Sequence, residues 1–326
     1  MIIEKPFVCT THLKPLASIL MLCTAMTLTG CNLEDPVITE NVNDVSDTVN
    51  STDSTDSTDS TDSTDSTDST DSTDSTDSTD STSEESRYQP EVSTTWQWQI
   101  SGTVNTDYDV DVYDIDLFDT HTSVIEELQA DGKAVICYFS AGSYEDWRED
   151  EADFPEEALG KDLDGWDGEN WLDITNETVR KIMAARMDLA AEKGCDGVEP
   201  DNVDGYSNKT GFDLSYDDQL DYNIFLAEAA HERGLAVALK NDVEQVDDLV
   251  DYFDFSINEE CFEYDECETL EPFIEQGKPV FHTSYVDEES ELSDKAGEIC
   301  TEALALQFRA LILPWDLDDS FRYSCD

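Results

Sequence analysis

The chain has 326 residues, and its 79 Asp and Glu against 17 Lys and Arg give a formal net charge of -62. A surface of that sign excludes nucleic acid and anionic lipid headgroups as partners, because they carry the same charge. Two uses remain for it: a hydrated acidic coat adapted to salt, and a field that gathers a cationic substrate.

The chain divides into 1–30, 31–86 and 87–326. In the first part Lys5 and Lys14 precede an apolar run over 16–28 that is too short to cross a bilayer as a helix and has the form of an export signal. The run ends on Leu28-Thr29-Gly30-Cys31, which resembles the lipobox of bacterial lipoproteins. That resemblance implies cleavage before Cys31 and lipidation of Cys31. It also implies an exported bacterial lipoprotein of the outer membrane or cell surface that meets the membrane through its lipid anchor alone. Asn32 follows Cys31, so the Asp that signals inner-membrane retention is absent. Residues 51–80 are ten copies of Ser-Thr-Asp, with no apolar side chain and a negative charge at every third place. Such a segment cannot bury enough surface to offset the entropy of ordering it, so 31–86 is expected to be a disordered tether with a span of roughly 40 Å.

Aromatic and apolar density returns at Tyr88, and 87–326 keeps 61 acids and 15 bases. Eight apolar runs, at 96–100, 110–118, 134–139, 195–199, 235–240, 253–257, 279–283 and 310–314, read as strands. They alternate with helical stretches, most clearly 178–192 and 217–233, as in a parallel sheet covered on both faces. Gly132, Gly194, Gly234 and Gly277 each stand where a helix must turn back toward the next strand. Eight strand-helix units in a chain of this length predict an α/β fold closed into a (β/α)8 TIM barrel. The first connection, 101–109, is too short for a helix, so irregularity is expected at the first βα unit. The third, 140–194, is long and carries Tyr144, Trp147, Phe154, Trp166 and Trp171, which suits a wall or lid over a site.

The passage CDGVEPDNVDGY, 195–206, crowds four carboxylates around the end of the fourth strand. Pro200 is expected to stop that strand and leave Asp201, Asn202 and Asp204 just beyond it. Residues at the strand ends share one rim of a barrel. Here they include Asp114 and Asp116, Asn258 and Glu260, and His282 and Asp316. The residues expected to contact substrate are Asp116, Tyr138, Ser140, Glu199, Asn202, Asp204, Lys240, Asn241, Tyr285 and Trp315. The chain has no Ser-His-Asp order, no glycine-rich phosphate loop and no HExxH, so acyl transfer, nucleotide chemistry and zinc proteolysis have no support. No cofactor is called for. No metal site is expected either: DNVDGYSN lacks the spacing of a calcium loop, and His121, His231 and His282 form no cluster. Paired carboxylates in an aromatic-walled cleft are the equipment of a glycoside hydrolase.

The blocks VYDIDLFDT, VICYFSAGSYEDWR, GCDGVEPDNVDGY, ALKN and INEECFEYDEC, in that order, together resemble glycoside hydrolase family 114, the endo-α-1,4-polygalactosaminidase family. The resemblance spans nearly all of 94–316. It implies a (β/α)8 barrel and endo-hydrolysis of α-1,4-linked galactosamine polymer, cationic where it is not acetylated. The family's two catalytic acids map onto Asp201 of EPDN and Glu259 of NEEC. On physical grounds Asp201, short and near Asn202 and Lys240, is expected to be the ionised nucleophile of a retaining reaction. Glu259, after an apolar strand and near Tyr285, is expected to be the acid/base with a raised pKa. Lys240 is expected to be an ion-pair partner of these acids. A carbohydrate-binding lipoprotein on an inactive barrel, or a glycosidase for another α-linked sugar, are the alternatives, and a monomer is expected in each case.

Beyond Cys31, the six cysteines of 87–326 suit an oxidising compartment. Cys261 with Cys267, and Cys300 with Cys325, are the expected disulfides, while Cys137 and Cys195, on neighbouring strands, read as buried thiols.

Overall fold

The computed structural model describes residues 87–326; the apolar leader, Cys31 and the Ser-Thr-Asp repeat lie outside the described residues. Every one of the eight apolar runs forms a strand: β1 (Trp96–Gln99), β2 (Val112–Asp116) and β3 (Ala134–Ser140), then, after an insertion, β7 (Gly197–Asp201), β8 (Ala236–Lys240), β9 (Phe255–Glu259), β10 (Val280–Val286) and β11 (Arg309–Pro314). The insertion carries a separate antiparallel sheet of β4 (Ser143–Glu145), β5 (Leu159–Asp162) and β6 (Glu169–Leu172). The eight main strands are parallel neighbours in sequence order, and β12 (Tyr323–Ser324) adds antiparallel to the free edge of β11.

The sheet curls until its first strand meets its last. Trp96 of β1 donates its indole N–H to the Arg309 carbonyl of β11 at 2.8 Å and stacks on Phe281 of β10 at 4.9 Å. Arg322, beside β12, donates to the Trp96 carbonyl at 2.9 Å. The seam is therefore closed by side chains and a two-residue strand, which cover edges that a regular ladder would pair. Inside the barrel, Trp96, Trp98, Val112, Ile136, Ala236, Phe255 and Leu311 pack into one apolar cluster. A larger cluster fills the space between the sheet and its helices.

Helices α1 (Thr122–Ala130), α2 (Glu177–Lys193) and α3 (Tyr216–Glu232), with the later helix Leu292–Ala305, lie on the outer face. Asn176 caps α2 by accepting the Thr178 N–H at 2.8 Å, and Gly194 closes it with a left-handed φ of 86°. Arg186 of α2 is buried and anchors the insertion, donating to Asp150 and to the Ser140 carbonyl at 2.8 Å each. No helix connects β1 to β2, in keeping with the irregular first unit. The result is the (β/α)8 α/β architecture, with its strand ends open under the insertion.

Candidate active site

Pro200 does not stop β7. The strand runs through it, with Phe139 opposite Pro200 and Ser140 opposite Asp201 on the β3 side. Toward β8 the ladder extends only to Val198, so the proline lies past the paired stretch on that side, where its missing N–H costs no ladder bond. Asp201 is thus the last strand residue, and its carbonyl accepts the Ala141 and Gly142 N–H groups at 2.8 and 3.0 Å. Gly142 is required there: a Cβ at that position would stand 1.6 Å from the Asn202 carbonyl oxygen.

The Asp201 carboxylate is held on both oxygens. Oδ1 accepts the Asn202 backbone N–H at 2.7 Å and Lys240 Nζ at 3.0 Å, and Oδ2 accepts the Tyr138 hydroxyl at 3.0 Å. Asn202 adopts a left-handed φ of 62°, and its Nδ2 donates to Ser140 Oγ at 3.0 Å. Ser140 is itself buried and makes no part of the cleft; it fixes Asn202 rather than touching substrate.

Lys240 sits at the centre of the floor. Its Nζ is 3.2 Å from Glu199, 3.0 Å from Asp201 and 3.2 Å from Glu259, and lies 4.9 Å from the centre of the Trp98 ring. Burial alone would lower its pKa, but the three carboxyls around it raise it well above the usual lysine range. Glu199 is fully buried under this lysine and does not line the cleft, contrary to its expected substrate contact. Apart from the Lys240 ion pair, no oxygen of Glu199 or of its neighbour Asp114 receives a donor. Burial pushes Asp114 up to about 7 and Glu199 well above the carboxylate range; the Asp114 charge adds to the cost of charging Glu199, while Lys240 opposes both shifts.

Glu259 closes β9. Asn241, on a left-handed φ of 50°, donates Nδ2–H to Glu259 Oε2 at 3.0 Å, and the Tyr285 hydroxyl donates to Oε1. The expected raised pKa is not what the surroundings produce. Burial pushes Glu259 up, but the Lys240 charge and the donors Tyr285, Asn241 and Lys240 outweigh it, holding the carboxyl below its ordinary value. The apolar strand leading to Glu259 misleads here, because its carboxylate meets polar donors from the neighbouring strand ends. Tyr285 stacks on the half-exposed Trp315, with ring centres 4.3 Å apart.

A cleft of about 850 Å³ opens over this floor. It is lined by Tyr138, Asp201, Asn202, Asp204, Lys240, Asn241, Glu259, Tyr285 and Trp315. The insertion adds Trp166, Glu169 and Trp171. Asp116 is absent from it: Arg148 of the insertion grips its carboxylate at 2.7 and 3.1 Å, and the Phe118 and Asp119 N–H groups also bind it. Arg148 comes from the insertion, 32 residues further on, so nothing in β2 itself signals that Asp116 is taken. His282 is buried against Asn258 and Ser284 and held down to about 3 by burial, so it takes no part in the rim. Several cleft residues escaped the sequence reading, Glu169 and Asp242 among them. Glu169, pushed up to about 7 by burial, accepts the Ser143 hydroxyl at 2.6 Å. Asp242 directly follows Asn241, and that adjacency was the only signal for it.

The six cysteines form three disulfides: Cys137–Cys195, Cys261–Cys267 and Cys300–Cys325. The first corrects the expected pair of free thiols. Cys137 lies on β3 and Cys195 just before its neighbour β7, with Cα atoms 6.1 Å apart. The second follows Glu259 and Glu260 directly. Among the described residues no group of three or more His, Cys, Asp or Glu is arranged to hold a metal ion.

The model of Glycoside-hydrolase family GH114 matches residues 77–326. No curated protein matches the chain. Among solved structures, Ega3 of Aspergillus fumigatus, determined in complex with galactosamine, is 42% identical with a TM-score of 0.71, over 74% of this chain and 98% of that one. The glycoside hydrolase domain of PelA from Pseudomonas aeruginosa is 13% identical with a TM-score of 0.55, over 69% of this chain and 96% of that one, a likeness of fold. On the family match and the identity to Ega3, this chain belongs to glycoside hydrolase family GH114 and is a glycoside hydrolase.

Proposed function

We propose that the protein is an endo-acting hydrolase of α-1,4-linked galactosamine polymer, with Asp201 and Glu259 as a retaining carboxylate pair. One observation carries this reading: both carboxylates bind the same ammonium, Lys240, at 3.0 and 3.2 Å. Their bound oxygens can be no further apart than those two contacts laid end to end. Two carboxylates drawn together on one ammonium favour the ~5 Å spacing of retaining pairs over the ~6.5–9.5 Å of inverting ones.

In the first step an Asp201 oxygen attacks the anomeric carbon while Glu259 gives its proton to the departing glycosidic oxygen. In the second, Glu259 takes a proton from water, the resulting hydroxide oxygen attacks the anomeric carbon, and the Asp201 ester bond breaks. The Asn202 N–H, the Tyr138 hydroxyl and Lys240 keep Asp201 oriented for attack. Glu259 is ionised in the open site, where its side chain is 28% exposed. A sugar over it removes that water and strengthens burial, the largest upward influence on its pKa. The productive complex therefore forms more readily as pH falls.

The galactosamine bound to Ega3 and the acidic lining of this cleft support a cationic substrate. Asp162, Asp164, Asp204, Asp242, Glu244 and Glu266 face the cleft, against Lys209 and the ion-paired Lys240. The leader and Cys31 support export and lipid anchoring, with 31–86 as the tether. The test is oligosaccharide release from partly deacetylated galactosamine polymer, with the anomer of the first product followed by NMR. The α-anomer is expected; initial release of the β-anomer would reject retention, and no release would reject the substrate.

A further inference from the structure

Asp242 is only 4% exposed, yet its Oδ1 receives no hydrogen bond. It lines the cleft on a left-handed backbone of φ 45°, directly after the Asn241 that holds Glu259. Its Oδ2 accepts the Asn223 side chain at 2.8 Å, which fixes the carboxyl while leaving Oδ1 unmet. Asp204 and Glu244 line the same cleft. The Tyr206 hydroxyl lies within hydrogen-bond reach of both Glu244, at 3.1 Å, and Asp242, so its one proton serves at most one of them at a time. None of these three carboxyls has an ion-pair partner among the described residues, and Lys240 is committed to Glu199, Asp201 and Glu259.

We infer that Asp242, with Asp204 and Glu244 beside it, forms an ammonium-binding subsite in the cleft wall that takes the free 2-amino group of a glycosamine residue. A protonated amine offers three N–H donors and a positive charge, enough to meet Oδ1 and its neighbours with charge-assisted bonds. An acetamido nitrogen offers one donor, no charge and an acyl group to accommodate. The subsite therefore reads deacetylated residues beside the catalytic pair. This inference rests on the proposed galactosamine substrate and adds the atoms that recognise its amine.

The free subsite holds a proton. Burial pushes the Asp242 carboxyl up to about 8, with Asp204 and Glu244 adding their charges. The groups facing it are Asp204 and Tyr206 from the loop after β7, Glu244 from its own loop, and Tyr216 and Asn223 from α3. When an ammonium binds, that proton leaves to the buffer and the carboxylate pairs with the cation.

Calorimetric titration of the full-length protein with galactosamine, N-acetylgalactosamine and galactose, near pH 7 in two buffers of different ionisation heat, tests this. Wild type is expected to bind galactosamine at least about tenfold more tightly than either other sugar, releasing about one proton per sugar bound. Asp242→Asn should lose both the preference and the proton release while staying folded, with an unfolding midpoint no lower than wild type because the buried acid is gone, and Asp204→Asn should weaken the preference. Wild type without the preference, or an Asp242→Asn variant that retains the preference and the proton release, overturns the inference. Polymer hydrolysis by wild type is scored separately. Cleavage with the preference intact in Asp242→Asn removes the subsite and leaves the function standing, whereas no cleavage removes the substrate reading itself.

Discussion

Asn241 grips Glu259 at both ends: its Nδ2 donates to the carboxylate at 3.0 Å, and its Oδ1 accepts the Glu259 backbone N–H at 2.9 Å. One side chain thereby fixes both the strand end and the carboxyl it carries. A hydrogen bond to a charged group contributes about 1.5–3 kcal/mol, so Asn241→Ala is expected to lower kcat by roughly 10- to 100-fold. Steady-state kinetics on the polymer check this, and an unchanged kcat would separate Asn241 from the chemistry.

Tyr285 is one of the donors that hold Glu259 below its ordinary pKa. Removing the hydroxyl in Tyr285→Phe takes away a lowering influence, so the Glu259 pKa rises. The limb of the kcat/KM profile that reports Glu259 should then move to higher pH. A pH-rate series on wild type and variant measures the shift, and movement to lower pH would contradict the assignment.

Stability should depend on pH through the buried carboxyls. Burial leads in raising Asp242 to about 8, Asp114 and Glu169 to about 7 and Asp204 to about 6. A carboxyl raised in the folded state contributes fully below its unfolded value near 4, and that contribution is lost as pH rises through the folded value. Glu259 has the opposite sign: its lowered pKa contributes above the unfolded value and is lost as pH falls through the folded one. Between about pH 8 and 5 the raised carboxyls outnumber the opposing His282, whose pKa of about 3 in the fold costs stability below about pH 6.5, so Tm is expected to climb on acidification over that range and to turn down below about pH 4. Thermal scans at fixed ionic strength check the sign.

The disulfides differ in the length of chain they close. Cys137–Cys195 spans 58 residues and Cys261–Cys267 spans 6. The loop-entropy model gives about 4 kcal/mol for the first and about 2 kcal/mol for the second. Replacing Cys137 and Cys195 together by Ser should therefore cost more stability in urea unfolding than the Cys261/Cys267 double replacement. The latter should act more on activity, because it loosens the loop that follows Glu259.

Strands buried on both faces and glycines at helix ends made the barrel legible in the residues, and the acids at the ends of β7 and β9 marked its working rim. Side-chain facing was less legible. Asp114 and Asp116 both belong to β2, but one is buried beside Glu199 and the other is taken by Arg148, a residue 32 positions away. Glu259 was misread because donors from two other strand ends decide its charge. The Cys137–Cys195 bond depends on how two neighbouring chain segments align, which apolar runs do not report.

The central claim is that Asp201 and Glu259 perform the hydrolysis in distinct roles. Rates on an activated galactosaminide with added azide test it directly, using Asp201→Ala and Glu259→Ala. The account predicts a loss of at least about 10³-fold on polymer for each, with azide rescuing Asp201→Ala to the β-azide and Glu259→Ala to the α-azide. Near wild-type hydrolysis by either variant, or azide products of the reversed anomers, would contradict it.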